Sequence, residues 1–355
     1  MHGIKELAER HEVTHNATKQ QSPQSLRRMT GVPATDVGQE LVDPIIREQL
    51  LAQQVATADR RDSVVRAVRR ILVFVVFVFL LGLLYTAYKA FGSSIDDAQS
   101  QWPVIGSVLP RADDLNMPPI SDIVSQFGER RNPEANSYAR ILLGEALFTL
   151  REAAVGFLVG GIVGLGIAIA LARSRWLDKG LLPYIIASQT IPLIAIAPIV
   201  VVWGRKNLDF FPWEWQDWMS VSIIATYLTF FPIAVNGLRG LQSPTSAEFE
   251  LMSSYAATWN QTLWRLRFPA AVPHLFAAFK IAASGSVVGA IVGEISAGVT
   301  GGLGRRLLNE AFNYTTGPQR LYASVIGAAL LGITVFLVVT ATERVVLAKQ
   351  NRESI

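Results

Sequence analysis

Residues 153–172 read AAVGFLVGGIVGLGIAIALA, a run without a single charged side chain. A helix rises about 1.5 Å per residue, so the run is long enough to cross a hydrocarbon layer of about 30 Å. A helix on the surface of a soluble bundle would carry a polar stripe, and none is present here. Five further runs are nearly as apolar: 71–91 (ILVFVVFVFLLGLLYTAYKAF), 181–203, 219–238, 270–292 and 321–341. The expected fold is all-α and integral to a membrane, with six transmembrane helices. The first apolar run begins far from residue 1, so a cleaved signal peptide is not expected.

Half of the chain is apolar (50%), 17% is charged and the mean hydropathy is +0.32. Soluble domains carry about 25% charged residues, and here the charge is also segregated. Residues 1–70 hold 11 Lys/Arg and 9 Asp/Glu. Cysteine is absent, which excludes disulfides, thiolate metal sites and a Cys nucleophile. GxxxxGK[ST] and GxSxG do not occur, so the chain has no P-loop for ATP, and HExxH occurs once, as HEVTH at residues 11–15 of the polar tail. His2, His11 and His15 lie in the first seventy residues, and His274 follows Pro273 at a span start, which leaves little from which to build a His-based triad. His11 and His15 have i, i+4 spacing, but the segment is read as a solvated, partly helical tail rather than a metal site.

Arg and Lys at span ends set orientation. Arg60, Arg61, Arg66, Arg69 and Arg70 precede the first span, which puts the N-terminus in the cytoplasm. Counting spans then places Arg173, Arg175, Lys179, Arg239, Arg265, Arg267 and Arg344 inside, with Arg205, Lys206, Arg305 and Arg306 as exceptions. Both termini are expected to be cytoplasmic. The organisation expected is a polar tail (1–70), a first transmembrane helix (71–91), an external segment with an interfacial helix (92–152), a five-helix transport core (153–343) and a short tail (344–355). Within the tail, Leu41, Ile45, Ile46, Leu50, Leu51 and Val55 form a helical stripe that suits a partner, the inner leaflet or the first span. In the external segment, NMPPISDIVSQFGERR from Asn116 reads as a Pro-started amphipathic helix. Trp213, Trp215 and Trp218 are read as interfacial anchors, with docking of an external partner as the alternative.

Gly156, Gly160 and Gly164 in the second span, and Gly285, Gly289 and Gly293 in the fifth, recur every four residues. Such rows let helix backbones approach, and Gly285 and Gly289 would also suit the wall of a pathway. Pro183, Pro192 and Pro198 strip backbone hydrogen bonds from the third span, which is expected inside the bundle. Pro192 and Pro198 are therefore candidate gate residues. Glu294, in VVGEISAG, is either a residue of the outer mouth that bonds the following GGLG turn or a helix-end acid reaching water.

The connection 239–268 holds the most specific signal. Ser246 can cap a helix through Glu250, a break is expected at Tyr255–Thr258, and Trp259, Leu263 and Leu266 then recur at helical spacing before Pro269 starts the fifth span. Two short helices would form a rigid knob continuous with that span.

This loop resembles the cytoplasmic motif E-A-A-x3-G-x9-I-x-L-P of permease subunits of binding-protein-dependent ABC importers. Glu250 and Pro269 match, Leu266 stands for the isoleucine, Phe268 for the leucine and Ala256 for the glycine, where a positive φ would strain an alanine. The likeness covers about 118–344. ASQTIPLIAIAPIVVVWG, TFFPIAVNGLRGL and VVGEISAGVTGGLG resemble the branch importing aliphatic sulfonates, taurine, nitrate and thiamine precursors, the first leaning towards thiamine-pyrimidine or riboflavin permeases. The resemblance implies a type I importer fold in the bacterial cytoplasmic membrane and a second permease copy or paralogue. It also implies two ABC ATPase subunits, docked on the loop and carrying ATP and Mg, and an external substrate-binding protein. No cofactor is expected on this chain itself, nor any nucleic-acid partner. An ion-coupled secondary transporter would need ionisable residues within its spans, where the six runs show few; a purely structural membrane protein does not account for the prolines or the knob.

Overall fold

A computed structural model describes residues 69, 72–92, 113–130, 136–208 and 214–353, with side chains to residue 348. The stripe at 40–58, the tail histidines and Trp213 lie outside the described residues. The chain divides between Leu84 and Tyr85 into two units.

The described residues are helical: α1 Leu72–Gly92, α2 Ile120–Gln126, α3 Tyr138–Arg173, α4 Arg175–Ser188, α5 Leu193–Asn207, α6 Asp217–Leu241, α7 Ser246–Ser254, α8 Trp259–Thr262, a π-turn Leu263–Arg267, α9 Phe268–Ala297, α10 Leu303–Phe312 and α11 Pro318–Glu353. The single β-contact is an isolated bridge between Arg130 and Ser137. Five helical stretches are long and apolar enough to span a membrane, and α4 with α5 forms a further pair bent by 95°.

Helix α6 is the centre of the second unit, packed along α3 on one side and α9 on the other. The two glycine rows make this possible. A Cβ on Gly156 would strike Ala225 and the Ser222 carbonyl, one on Gly160 would strike Thr229, and one on Gly164 would strike Ile233 and the Phe230 carbonyl. On the other flank, a Cβ on Gly289 would lie 2.8 Å from the Ala225 Cα. Lipid offers no hydrophobic drive for helix association, so close backbone approach supplies the contact instead.

The same contacts fix direction. Gly156, Gly160, Gly164 and Ala168 of α3 meet residues 225, 229, 233 and 237 of α6, so α3 and α6 run parallel. The chain between them must return across the membrane, and the α4–α5 pair does so. The pair therefore counts as one crossing, giving six spans among the described residues.

This third span differs from the single helix expected at 181–203. Pro192 has no N–H and forces Ile191 out of the helical region, so α4 stops and α5 restarts after it. Its placement also differs from a fully internal helix: Ala197, Val201 and Gly204 of α5 are buried, while Ile194, Ile199, Val202 and Trp203 remain exposed on this chain. The second span is likewise longer than its apolar run, because α3 begins at Tyr138 and its extra turns pack on α10 and α11. At one end of the bundle a cluster gathers Ile123, Tyr138, Leu142, Val221, Val287 and Leu303. At the other end Leu171, Leu238, Leu241, Leu263 and Leu275 form a second cluster.

Candidate functional site

The knob lies at the second end, between α6 and α9. Helix α7 opens on a capping box in which Thr245 accepts the Glu248 N–H and the Glu248 carboxylate accepts the Thr245 N–H at 2.6 Å. The cap is thus Thr245 with Glu248, one residue earlier than the Ser246 cap expected, because the N3 acid falls at Glu248 once Ser246 is the first helical residue. These bonds hold the Glu248 carboxyl below the usual range, the backbone N–H of Thr245 being the larger cause. A second box repeats the device at α8, with Thr258 as cap and Gln261 as its partner.

Between the boxes the chain turns through a Schellman motif. Ala257 N–H bonds to the Met252 carbonyl at 3.0 Å and Ala256 N–H to the Ser253 carbonyl at 2.9 Å, with Ala256 at φ +50°. Among the described residues this is the one non-glycine in the left-handed region. The turn keeps the backbone of a glycine turn, and Ala256 carries the strain.

From Trp259 the helix runs unbroken to Ala297. Pro269 stands in the first turn of α9, as expected, and the π-turn before it joins α8 to α9 without a break. The Phe268 N–H bonds to the Leu263 carbonyl five residues back, which widens the backbone where Pro269 has no donor to give. A displacement of α8 is therefore a displacement of α9.

The knob has two faces. Towards the bundle, Leu263 is buried and Trp259 lies under the Arg173 guanidinium at 4.7 Å. Arg267 lies over Phe249 at 4.6 Å and donates to the Leu241 carbonyl at 3.1 Å. Leu266 is half-buried, while Glu250, Ala256 and Pro269 are exposed. Away from the bundle, Leu251, Tyr255 and Trp264 are exposed. The expected Trp259–Leu263 face thus points inward, and the exposed large apolar side chains of the knob, Leu251, Tyr255 and Trp264, are ones that periodicity alone did not select.

At the far end of α9 lies a second polar constellation. Glu294 is fully buried and accepts the Thr149 hydroxyl at 2.7 Å and the Gly304 N–H at 2.5 Å. Thr149 in turn accepts the Leu303 N–H at 2.8 Å, and Glu145 accepts the Gly302 N–H at 2.7 Å. Gly302 has φ +95°, and the place of its missing Cβ is filled by the Glu294 carboxyl. Glu294 therefore bonds the glycine turn and does not reach water. Glu152, also fully buried, faces Glu294 without a hydrogen bond of ordinary geometry. Beyond this turn, a cleft of about 660 Å³ opens between α2, α3, α10 and α11, lined by Gln126, Tyr138, Arg306, Glu310 and Arg320 among others.

The remaining expected residues divide. Gly289 is buried against α6, and a Cβ on Gly285 would lie 3.5 Å from the Leu228 carbonyl oxygen, so both serve helix contact in this chain. Pro192 caps α5 at the break, and Pro198 is exposed inside it. Trp215 donates to Ser220 Oγ at 2.9 Å, and Trp218 carries the Arg151 guanidinium at 4.2 Å, so both are bound to the protein itself. Among the described residues no group of three acids or histidines is placed to hold a metal ion.

A multi-pass helical bundle with a rigid protruding loop has the build of a membrane transport subunit. Residues 162–350 match the family of binding-protein-dependent transport system inner membrane components, and the chain belongs to that family. It is 31% identical over 220 residues to the formylaminopyrimidine transport permease protein ThiX of Halalkalibacterium halodurans, covering 59% of this chain and 82% of that one. Identity to the riboflavin transport system permease protein RibX of Chloroflexus aurantiacus is 30%, over 58% of this chain and 72% of the other. The putative aliphatic sulfonates transport permease protein SsuC of Bacillus subtilis is 25% identical over 59% of this chain and 71% of its own length. These relatives support an ABC importer permease of this branch.

Proposed function

We propose that the chain is the membrane-spanning subunit of an ATP-driven type I importer in the bacterial cytoplasmic membrane. Its cargo is a small organic or anionic solute delivered by an external binding protein. The observation that carries this reading is the knob 245–267: capped at both helix starts, braced to the bundle by Arg173 and Arg267, continuous with α9, and presenting Leu251, Tyr255 and Trp264 outward. Two ATPase subunits that hold ATP and Mg dock there, one on each of two permease copies. Their closure moves the knob, α9 carries the movement into the bundle, and α6 and α3 follow through the glycine contacts.

The orientation follows from charge. Arg173, Arg175, Lys179, Arg239, Arg265 and Arg267 lie in the connections on the knob side, against Arg205, Lys206, Arg305 and Arg306 in those on the other side, and a cytoplasmic excess of basic residues sets topology. The knob and the end of α11 thus face the cytoplasm, and the cleft beside α10 faces outward towards the binding protein. An ion-coupled transporter is the second reading, and buried Glu152 and Glu294 are the residues it would use; the bonds from Thr149 and Gly304 account for Glu294 without it.

The test is co-purification of a P-loop ATPase with the chain, followed by Leu251→Glu, Tyr255→Glu and Trp264→Glu. Loss of the ATPase with the bundle still folded is expected. Retention of the ATPase, with ATP-dependent uptake unchanged, overturns the docking assignment, and uptake that needs an ion gradient but no ATP favours the second reading. Cysteine labelling at Ser253 from the inside and Thr315 from the outside checks the orientation.

A further inference from the structure

Helix α9 carries one charged side chain between Arg267 and Glu294, and it is Lys280, in FAAFKIAAS. The apolar run expected at 270–292 passes over it, because one charge barely lowers the hydropathy of such a window. Lys280 stands twelve residues past Phe268, about 18 Å along the helix. Its ammonium donates to both carboxylate oxygens of Glu343 on α11, at 3.0 and 2.9 Å. The two side chains are 24% and 18% exposed, so the pair is mostly removed from solvent. An ionisable group within a span is costly without a partner, and here each supplies the other.

The pair matters because of what surrounds it. The buried residues of α11 are Ala323, Ser324 and Leu331, all in its first half, and beyond Leu331 no described residue of the helix is buried. Thr334, Thr340 and Thr342 bond back to carbonyls of α11 itself. Val335 still packs against the core cluster at mid-helix, and beyond it the second half of α11 is at most half-buried, with one described polar tie to another helix, Glu343 to Lys280. Lipid matches any pair of apolar side chains and so gives them no fixed register. A buried ion pair costs desolvation but fixes which residues meet, which makes it a device for register more than for stability. Its other partner, α9, is the helix that runs unbroken from the knob.

We propose that Lys280 and Glu343 are positioning residues for transport: the pair makes the knob-side half of α11 move with α9. The inference rests on the reading of the knob as the ATPase-coupled element. When the knob shifts, α9 shifts, and the ion pair carries α11 along. Without the pair, α9 moves alone while ATP is still hydrolysed.

The experiment uses the complete complex in proteoliposomes with Lys280→Ala, Glu343→Ala, the exchanged pair Lys280→Glu with Glu343→Lys, and the uncharged pair Lys280→Met with Glu343→Leu. Each single variant is expected to keep ATP hydrolysis while solute taken up per ATP falls about tenfold or more. The exchanged pair is expected to restore that ratio to within about twofold of the original, and the uncharged pair to fold yet remain uncoupled. A merely structural role would lower the amount of complex without changing the ratio, and that result overturns the proposal. So does an exchanged pair that fails to restore a ratio lost in the single variants. A second arm needs no ATPase: spin labels at Ser253→Cys and Val345→Cys in the chain alone should give one narrow distance, broadened by Lys280→Ala and narrowed again in the exchanged pair. If no ATPase binds the unsubstituted chain, the proposed function fails while this arm still decides whether the pair ties α11 to α9; an unbroadened distance overturns the tie even where the ATPase binds.

Discussion

Helix α9 is held differently at its two ends. At the far end, the glycine turn after Ala297 is held by side chains from two helices: the buried Thr149 and half-buried Glu145 of α3 and the buried Glu294 of α9. At the knob end the fastenings are local and exposed, two capping boxes and a Schellman turn, with cations lying over Trp259 and Phe249 as braces. A buried group that loses its partner costs the full desolvation penalty of the group left behind, whereas an exposed cap contributes about 1 kcal/mol. The far end is therefore fixed by tertiary partners and behaves as an anchor. The knob end is fixed by its own sequence, so it holds its shape while remaining free to meet another surface.

The comparison breaks most severely at Gly302. Its φ of +95° is closed to side chains, and a Cβ there would fall on the Glu294 carboxyl. Gly302→Ala is expected to cost about 3–5 kcal/mol from backbone strain and overpacking together, read as a large fall in thermal stability of the purified protein in detergent. A melting temperature within about 2 °C of the original would remove the anchor from the comparison. Thr149→Val is expected next. It keeps the shape but leaves the Leu303 N–H without its acceptor and removes a donor from Glu294, a loss of about 1–3 kcal/mol. Valine should be less damaging than alanine would be by cavity formation, and equal stability of Thr149→Val and the original would show the turn to be held by packing alone.

The two ends also differed in how far the sequence disclosed them. Knob shape was largely legible, since Trp259, Leu263 and Leu266 follow helical spacing and the break at 255–258 sits where the structure turns. Local chemistry dictated it. The outward residues were not legible: Leu251 lies in α7, Tyr255 caps its end and Trp264 lies in the π-turn, so their exposure depends on how the turn at 255–258 sets α7 against the helix that follows. At the far end, Glu294 stands out as an acid in an apolar run, but its partner Thr149, and Glu145, which accepts the Gly302 N–H, lie about 150 positions away and carry no pattern of their own. The spans themselves were legible from hydropathy, except where a proline rule and a span rule competed, and at Pro192 the proline won. Lys280 and Glu343 were missed for a related reason, because a paired charge is invisible to any window that averages along one helix.

At the knob the strained residue offers a gain instead of a loss. Ala256 holds φ +50° in the Schellman turn, where an L-residue with a Cβ is disfavoured by roughly 1–2 kcal/mol. Glycine removes that strain but frees the unfolded chain, so Ala256→Gly is expected to raise stability by about 1 kcal/mol or slightly less. A decrease would mean that the turn relaxes in solution to a shape alanine prefers.

The smallest expected effect separates the two capping boxes of the same knob. Thr245 is partnered by Glu248, which titrates, and Thr258 by Gln261, which does not. The bonds from Thr245 favour the ionised form of Glu248 and lower its pKa in the folded chain. The stabilisation is therefore complete above the unfolded value, about 4.3, and is lost as pH falls through the lower folded value. Amide hydrogen exchange at pH 6 and pH 3, corrected for the intrinsic rate, should show protection in the first turn of α7 falling while that of α8 holds. Glu248→Gln keeps a residue that serves the box and should abolish the difference between the two pH values. Equal loss of protection in α7 and α8 on acidification would mean that the knob depends on its braces to the bundle, and the contrast between a locally determined end and a tertiary one would then fail at the knob.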